Sequence, residues 1–222
     1  MARLTTCAKC VNVACRGEHA DGRPANCPMR TKQDTMEAAL AEYANPQVRE
    51  FARQAAIQEF ECYMQLPEGT TPRHPRVEET VQFAKRMGYK KLGIAFCDGL
   101  SQEAGTLNTI LENRGFTVAS VRCKLGGIPK EELGLPPEKK IAGPDAWETM
   151  CNPIGQAMIL NAEEVDLNIV VGLCVGHDSL FLQYAAAPCT VLIAKDRVLG
   201  HNPALGLYLS DSYYQKLKRV ET

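Results

Sequence analysis

Residues 1–33 carry no spacing of apolar positions that a helix or strand could bury. The stretch is polar and rich in Cys, Gly and Pro. It cannot build a core of its own, and a metal is the simplest agent that would fold it. From Asp34 the spacing turns helical, with Met36, Leu40 and Tyr43 on one face. Asn45-Pro46 stops that segment and opens the next. Val48, Phe51, Ala52, Ala55, Ala56, Phe60, Tyr63 and Met64 then predict a long amphipathic helix, broken by Leu66-Pro67-Glu68-Gly69-Thr70-Thr71-Pro72. A further helix over 76–88 turns Val77, Val81 and Ala84 inward and closes on Gly88.

Beyond this point short apolar runs alternate with helical spacing. Leu92 to Cys97 predicts a strand, 101–114 a helix, and Phe116 to Cys123 a second strand. The loop from Lys124 to Met150, rich in Gly, Pro and Lys, is long for a strand-to-helix connection, and such loops tend to be functional or disordered. With Trp147 near its end, it could fold over the sheet edge as a lid. Asn152-Pro153 opens a helix to about Glu164, Leu167 to Cys174 is the third strand, Gly176 to Ala186 a short helix, and Thr190 to Ala194 a fourth strand. Strands alternating with helices imply βαβ crossovers and a parallel sheet buried on both faces. The expected fold is therefore α/β: a Rossmann-like three-layer domain with four to five parallel strands. The expected division is a four-cysteine segment over 1–33, then a helical lead-in and the α/β domain over 34–222.

Composition narrows the function. The 222 residues are 45% hydrophobic and carry a formal net charge of −1 with both signs interspersed. No basic stripe suggests nucleic acid, and no apolar run is long enough to span a bilayer. Cys7 arrives before any signal-peptide core could form, which points to the cytoplasm. Ten cysteines are many for a reducing compartment, where metal binding or thiol redox chemistry is a better account than disulfides.

Cys7, Cys10, Cys15 and Cys27 have the form C-x2-C-x4-C-x11-C. Four thiolates complete a tetrahedral zinc site or hold a [4Fe–4S] cluster, and spacing alone leaves zinc and iron open. A second set is created by topology. Cys97, Cys123 and Cys174 each close a predicted parallel strand, and Cys151 precedes a crossover helix that starts at the same edge. Open α/β sheets bind ligands at that edge. Cys62, inside a helical pattern, and Cys189, ahead of its strand, read as small buried hydrophobes. His177 is the candidate proton donor and Asp178 a candidate catalytic or capping residue. Lys124, Lys195 and Arg197 follow strand ends, where they could bind a small anionic molecule or offset cluster charge.

The blocks Gly93-Ile94-Ala95-Phe96-Cys97, Ser120-Val121-Arg122-Cys123-Lys124, Met150-Cys151-Asn152-Pro153-Ile154, Gly172-Leu173-Cys174-Val175-Gly176-His177-Asp178 and Lys195-Asp196-Arg197 through His201-Asn202-Pro203 resemble the cysteine-rich domain-of-unknown-function family eighteen forty-seven. The resemblance implies metal binding and an anaerobic setting, which favours iron–sulfur over zinc, but names no reaction. The leading expectation is an iron–sulfur protein with one or two [4Fe–4S] clusters, the second on Cys97, Cys123, Cys151 and Cys174, and a possible redox partner. The alternatives are a metal carrier or sensor without turnover, and a binding domain with a purely structural zinc. Neither substrate nor oligomeric state follows from the sequence.

Overall fold

Pro and Asn punctuation sets the N-terminal helices. In the computed structural model, which describes residues 4–11, 14–17 and 22–220, Pro28 opens a single helical turn, α1 (Pro28–Thr31). It is followed by α2 (Gln33–Glu42) and α3 (Pro46–Glu61). Asn45 Oδ1 accepts from the Gln47 amide at the start of α3, serving a donor that the first helical turn leaves without a partner. The amphipathic spacing expected to run through Met64 stops at Glu61. Tyr63 and Met64 lie instead in β1 (Tyr63–Leu66), paired antiparallel with β2 (Gly69–Pro72). The periodicity misled because Tyr63 and Met64 continue the apolar face of the helix, whereas the Pro67-Glu68-Gly69 turn folds the segment back on itself. The chain divides into Met1–Glu61 and Cys62–Thr222, so the helical lead-in groups with the cysteine segment.

In the second unit α4 (Arg76–Arg86) leads into β3 (Lys91–Phe96), α5 (Ser101–Asn113), β4 (Thr117–Arg122), α6 (Pro153–Ala162), β5 (Leu167–Val171), α7 (His177–Tyr184), β6 (Cys189–Ile193) and α8 (Ala204–Tyr208). The four longer-range strands form one parallel sheet in the order β4-β3-β5-β6. This is the expected α/β, Rossmann-like arrangement, with helices flanking a parallel sheet. All five residues of β5 are buried, as its unbroken apolar run predicts for a central strand. Leu92, Ile94, Leu100, Leu111, Leu160, Ile169 and Phe181 are fully enclosed, each contributing about 1.5–3 kcal/mol by leaving water.

The chain leaves β3 toward β4 on one side, then crosses back to β5 on the other. The carboxyl ends of β3 and β5 therefore border the switch point where such sheets form a crevice. Two predicted strand boundaries differ in the structure. The third strand ends at Val171, so Cys174 lies three residues past it, on the turn into α7. Cys189 begins β6 rather than preceding it.

Candidate functional site

Two groups of cysteines emerge, one in each unit. In the first, Cys7 opens a 3-10 turn (Cys7–Lys9) and Cys27 caps α1. Asn26 Nδ2 donates to Thr6 Oγ1 at 2.6 Å, clasping the residues before Cys7 to those before Cys27. All four cysteines, with Lys9, Arg23 and Asn26 among their neighbours, border one cavity of about 210 Å³. Cys7 and Cys15 are exposed, whereas Cys10 and Cys27 are half-buried. The Arg23 Nε is buried with no hydrogen-bond partner among the described residues. A donor in that state is costly unless an acceptor meets it. Four cysteine sulfurs and an orphaned guanidinium donor thus border a space several times the ~30 Å³ share of one water, with room for a polyatomic anionic group.

The second group is at the sheet edge. The β3–β4 register ends at Phe96 opposite Arg122, and the ladder runs one residue further through the Cys123 amide, which donates to Phe96 O at 3.0 Å. Cys97, still extended at φ −75° and ψ 143°, thus lies beside Cys123. In-register partners of neighbouring strands project to the same face. Cys151 is brought in from the far end of the long loop, where the Asn152 amide donates to Cys123 O at 2.7 Å. The Cys123 sulfur accepts the Asp98 amide at 3.3 Å and lies close enough to the sulfurs of Cys97 and Cys151 for each to perturb the others' charge. The three form a string with Cys123 in the middle.

Protonation is divided along that string. The Cys123 thiol shared between two flanking sulfurs stays protonated, its pKa pushed far up by both neighbours and by burial. Cys97 is held well below the usual thiol range, first by the Cys123 hydrogen bond, then by Lys195 and the Gly99 amide. Cys151 is lowered to about 5 by the Cys123 hydrogen bond and by the charges of Lys124 and His177. Lys195 Nζ stands 2.8 Å from Cys97 Sγ, and Arg197 Nη2 stands 2.9 Å from Cys174 Sγ. Cys174 is therefore paired with a cation on the turn after β6, and no hydrogen bond joins it to the other three among the described residues.

The remaining candidates fall as follows. Lys124 donates to Thr149 O across the base of its loop and acts on Cys151. His177 is half-buried and close enough to Cys151 to lower its pKa. Asp178 Oδ1 accepts from the Gly176 and Ser179 amides, which is the capping role. The loop expected as a lid braces its own base through Met150 N to Ile128 O and the Lys130–Glu148 ion pair, while Trp147 lies exposed. His201 Nδ1 accepts from Asp196 N, and Asp196 Oδ1 from the Val198 and Leu199 amides, a turn that holds Lys195 and Arg197 in reach of the sulfurs.

Gln156 was not among the candidates from sequence. Fully buried on α6, it donates from Nε2 to Phe96 O and Val121 O, tying together the strand ends that carry Cys97 and Cys123. Its signal was a polar side chain on the inward face of an otherwise apolar helix. Among the described residues no group of three or more Cys, His, Asp or Glu side chains stands so as to hold a metal ion. No helix of the described residues is long and apolar enough to cross a membrane.

Residues 27–192 match the family described as "Protein of unknown function (DUF1847)". That span takes in Cys27 and every edge cysteine but leaves out Cys7, Cys10 and Cys15. The uncharacterized protein MJ0455 of Methanocaldococcus jannaschii is 45% identical over 185 residues, 83% of this chain and 88% of the relative.

Proposed function

The chain belongs to the family of unknown function matched over residues 27–192, and we propose that it is an iron–sulfur protein whose Cys7, Cys10, Cys15 and Cys27 hold a [4Fe–4S] cluster. The observation that carries this reading is the 210 Å³ cavity bordered by all four cysteines. A single zinc drawn to four sulfurs at ~2.3 Å leaves no comparable space. When bound, a cluster supplies one-electron redox capacity. The chain's own residues act around it: Lys9 and Arg23 offset negative charge, and the Thr6–Asn26 bond keeps the two cysteine-bearing ends together.

Substrate chemistry belongs, in this reading, to the sheet edge. Lys124, Lys195 and Arg197 favour a small anionic molecule beside the thiols, with His177 as proton donor. Metal analysis of anaerobically purified protein, with electron paramagnetic resonance after dithionite reduction, tests the proposal. About four irons and four sulfides per chain are expected, lost in Cys10→Ser and Cys27→Ser. One zinc per chain without iron would overturn it and leave a carrier, sensor or binding domain with a structural knot. About eight irons would give the edge cysteines a cluster of their own.

A further inference from the structure

We propose that Cys97, Cys123 and Cys151 form a thiol–disulfide exchange site for low-molecular-weight disulfides, in which Cys151 makes the first attack and Cys123 is the shared resolving thiol. This inference does not depend on what occupies the N-terminal cavity.

The geometry supplies three requirements of such a site. The first is a pair of thiols able to bond. Cys97 and Cys123 continue the in-register β3–β4 pair, and neighbouring strands lie ~4.8 Å apart, within the ~4.4–6.8 Å Cα separation that a disulfide spans. Gln156 fixes that separation from below. The second is an accessible entry. Cys123 and Cys97 are 2% and 8% exposed, whereas Cys151 is half-buried and is the most exposed residue of the three. The third is charge beside the sulfurs. Lys195 Nζ stands 2.8 Å from Cys97 Sγ, and Lys124 lies beside Cys151, so each end of the string has a cation next to its sulfur, the setting that favours thiolate.

The exchange balances without further groups. Cys151 thiolate attacks one sulfur of the substrate, whose S–S bond breaks as a mixed disulfide forms. Forming the mixed disulfide removes the Cys151 charge that holds the proton on Cys123, and the departing thiolate takes that proton. Cys123 thiolate then attacks the Cys151 sulfur and displaces the second thiolate, which is protonated from solvent. The protein dithiol has lost two electrons and the substrate has become two thiols. Attack of Cys97 thiolate on Cys123 moves the disulfide to the in-register pair and returns Cys151 as a thiolate. An external dithiol reverses the oxidation.

The test treats reduced, anaerobically prepared full-length protein with 2-hydroxyethyl disulfide. Non-reducing peptide mapping follows the products. A disulfide joining Cys123 to Cys97 or Cys151 is expected, and dithiothreitol should restore three free thiols. In Cys123→Ala the adduct on Cys151 should persist at least ten-fold longer. Cys151→Ser, at a half-buried position that tolerates the change, should slow disulfide formation at least ten-fold. Three unmodified cysteines in the wild-type protein, an adduct as persistent there as in Cys123→Ala, or an unchanged rate in Cys151→Ser would each overturn the proposal. So would loss of iron from Cys97→Ser or Cys151→Ser, which would assign the edge to a cluster, whereas iron lost only with the N-terminal cysteines leaves the exchange site standing.

Discussion

A thiolate at Cys151 and a thiol at Cys123 differ only in what surrounds each sulfur. Cys151 has the Cys123 thiol and the Lys124 ammonium beside it, whereas Cys123 is enclosed between two other sulfurs. The Cys151 pKa of about 5 means its thiolate is present throughout the neutral range and is lost only as the pH falls through that value. An ordinary thiol of pKa ~8.5 reacts through a thiolate fraction that drops roughly twenty-fold between pH 8 and 6.5. Iodoacetamide labelling followed by peptide quantification should therefore show Cys151 modified at nearly the same rate at both pH values. Cys189, whose pKa burial raises, should need more alkaline conditions than an ordinary thiol. These differences are absent from the sequence, where Cys151 and Cys189 are the same letter. The partners that separate them come from distant positions, as Lys195 does for Cys97 across 98 residues.

Elements decide where those side chains meet. The turn after β5 begins at Gly172, which has φ +67°, and a Cβ there would lie 2.7 Å from Leu100 Cδ2. Leu100 is fully buried and cannot swing into solvent. Gly172→Ala should therefore cost about 2–4 kcal/mol from the left-handed backbone and overpacking together. A thermal melt should show the midpoint of the α/β unit lowered by roughly 5–15 °C. An unchanged midpoint would mean the Leu100 contact is loose. At the same scale the sequence located β3, β4, β5 and β6 to within a few residues: the buried central strands β3 and β5 read as short apolar runs, and the edge strands β4 and β6 as short β-branched stretches between turns. It missed the β1–β2 hairpin, where Tyr63 and Met64 fall on the helical apolar period. It also carried the third strand through to Cys174, since Gly172 and Leu173 do not interrupt an apolar run until the backbone turns.

For the whole molecule, the buried apolar core runs from Val81 to Phe181, all of it in the second unit. None of the described residues of the cysteine segment belongs to that core. Stripping metal with a chelator under anaerobic conditions should abolish any iron chromophore yet leave the α/β unit's cooperative circular-dichroism transition within a few degrees of its original midpoint. Collapse of that transition would show that the sheet depends on the N-terminal site.

The α/β class, the parallel sheet, the four-cysteine spacing and the convergence of cysteines on one sheet edge were all legible along the chain. Each follows from local periodicity, from the spacing of the cysteines, or from the common direction of strands joined by crossover helices. Which of the edge cysteines meet was settled only by register and by side chains from distant turns. Cys97 and Cys123 are adjacent because β3 and β4 pair without a shift, and Cys151 joins them through a loop whose ends close on each other. Cys174 is drawn to Arg197 because β5 ends early and the turn after β6 lies beside it. Sequence spacing records how far apart residues are along the backbone, and charge on a thiol depends on which groups the fold places within a few ångströms of it.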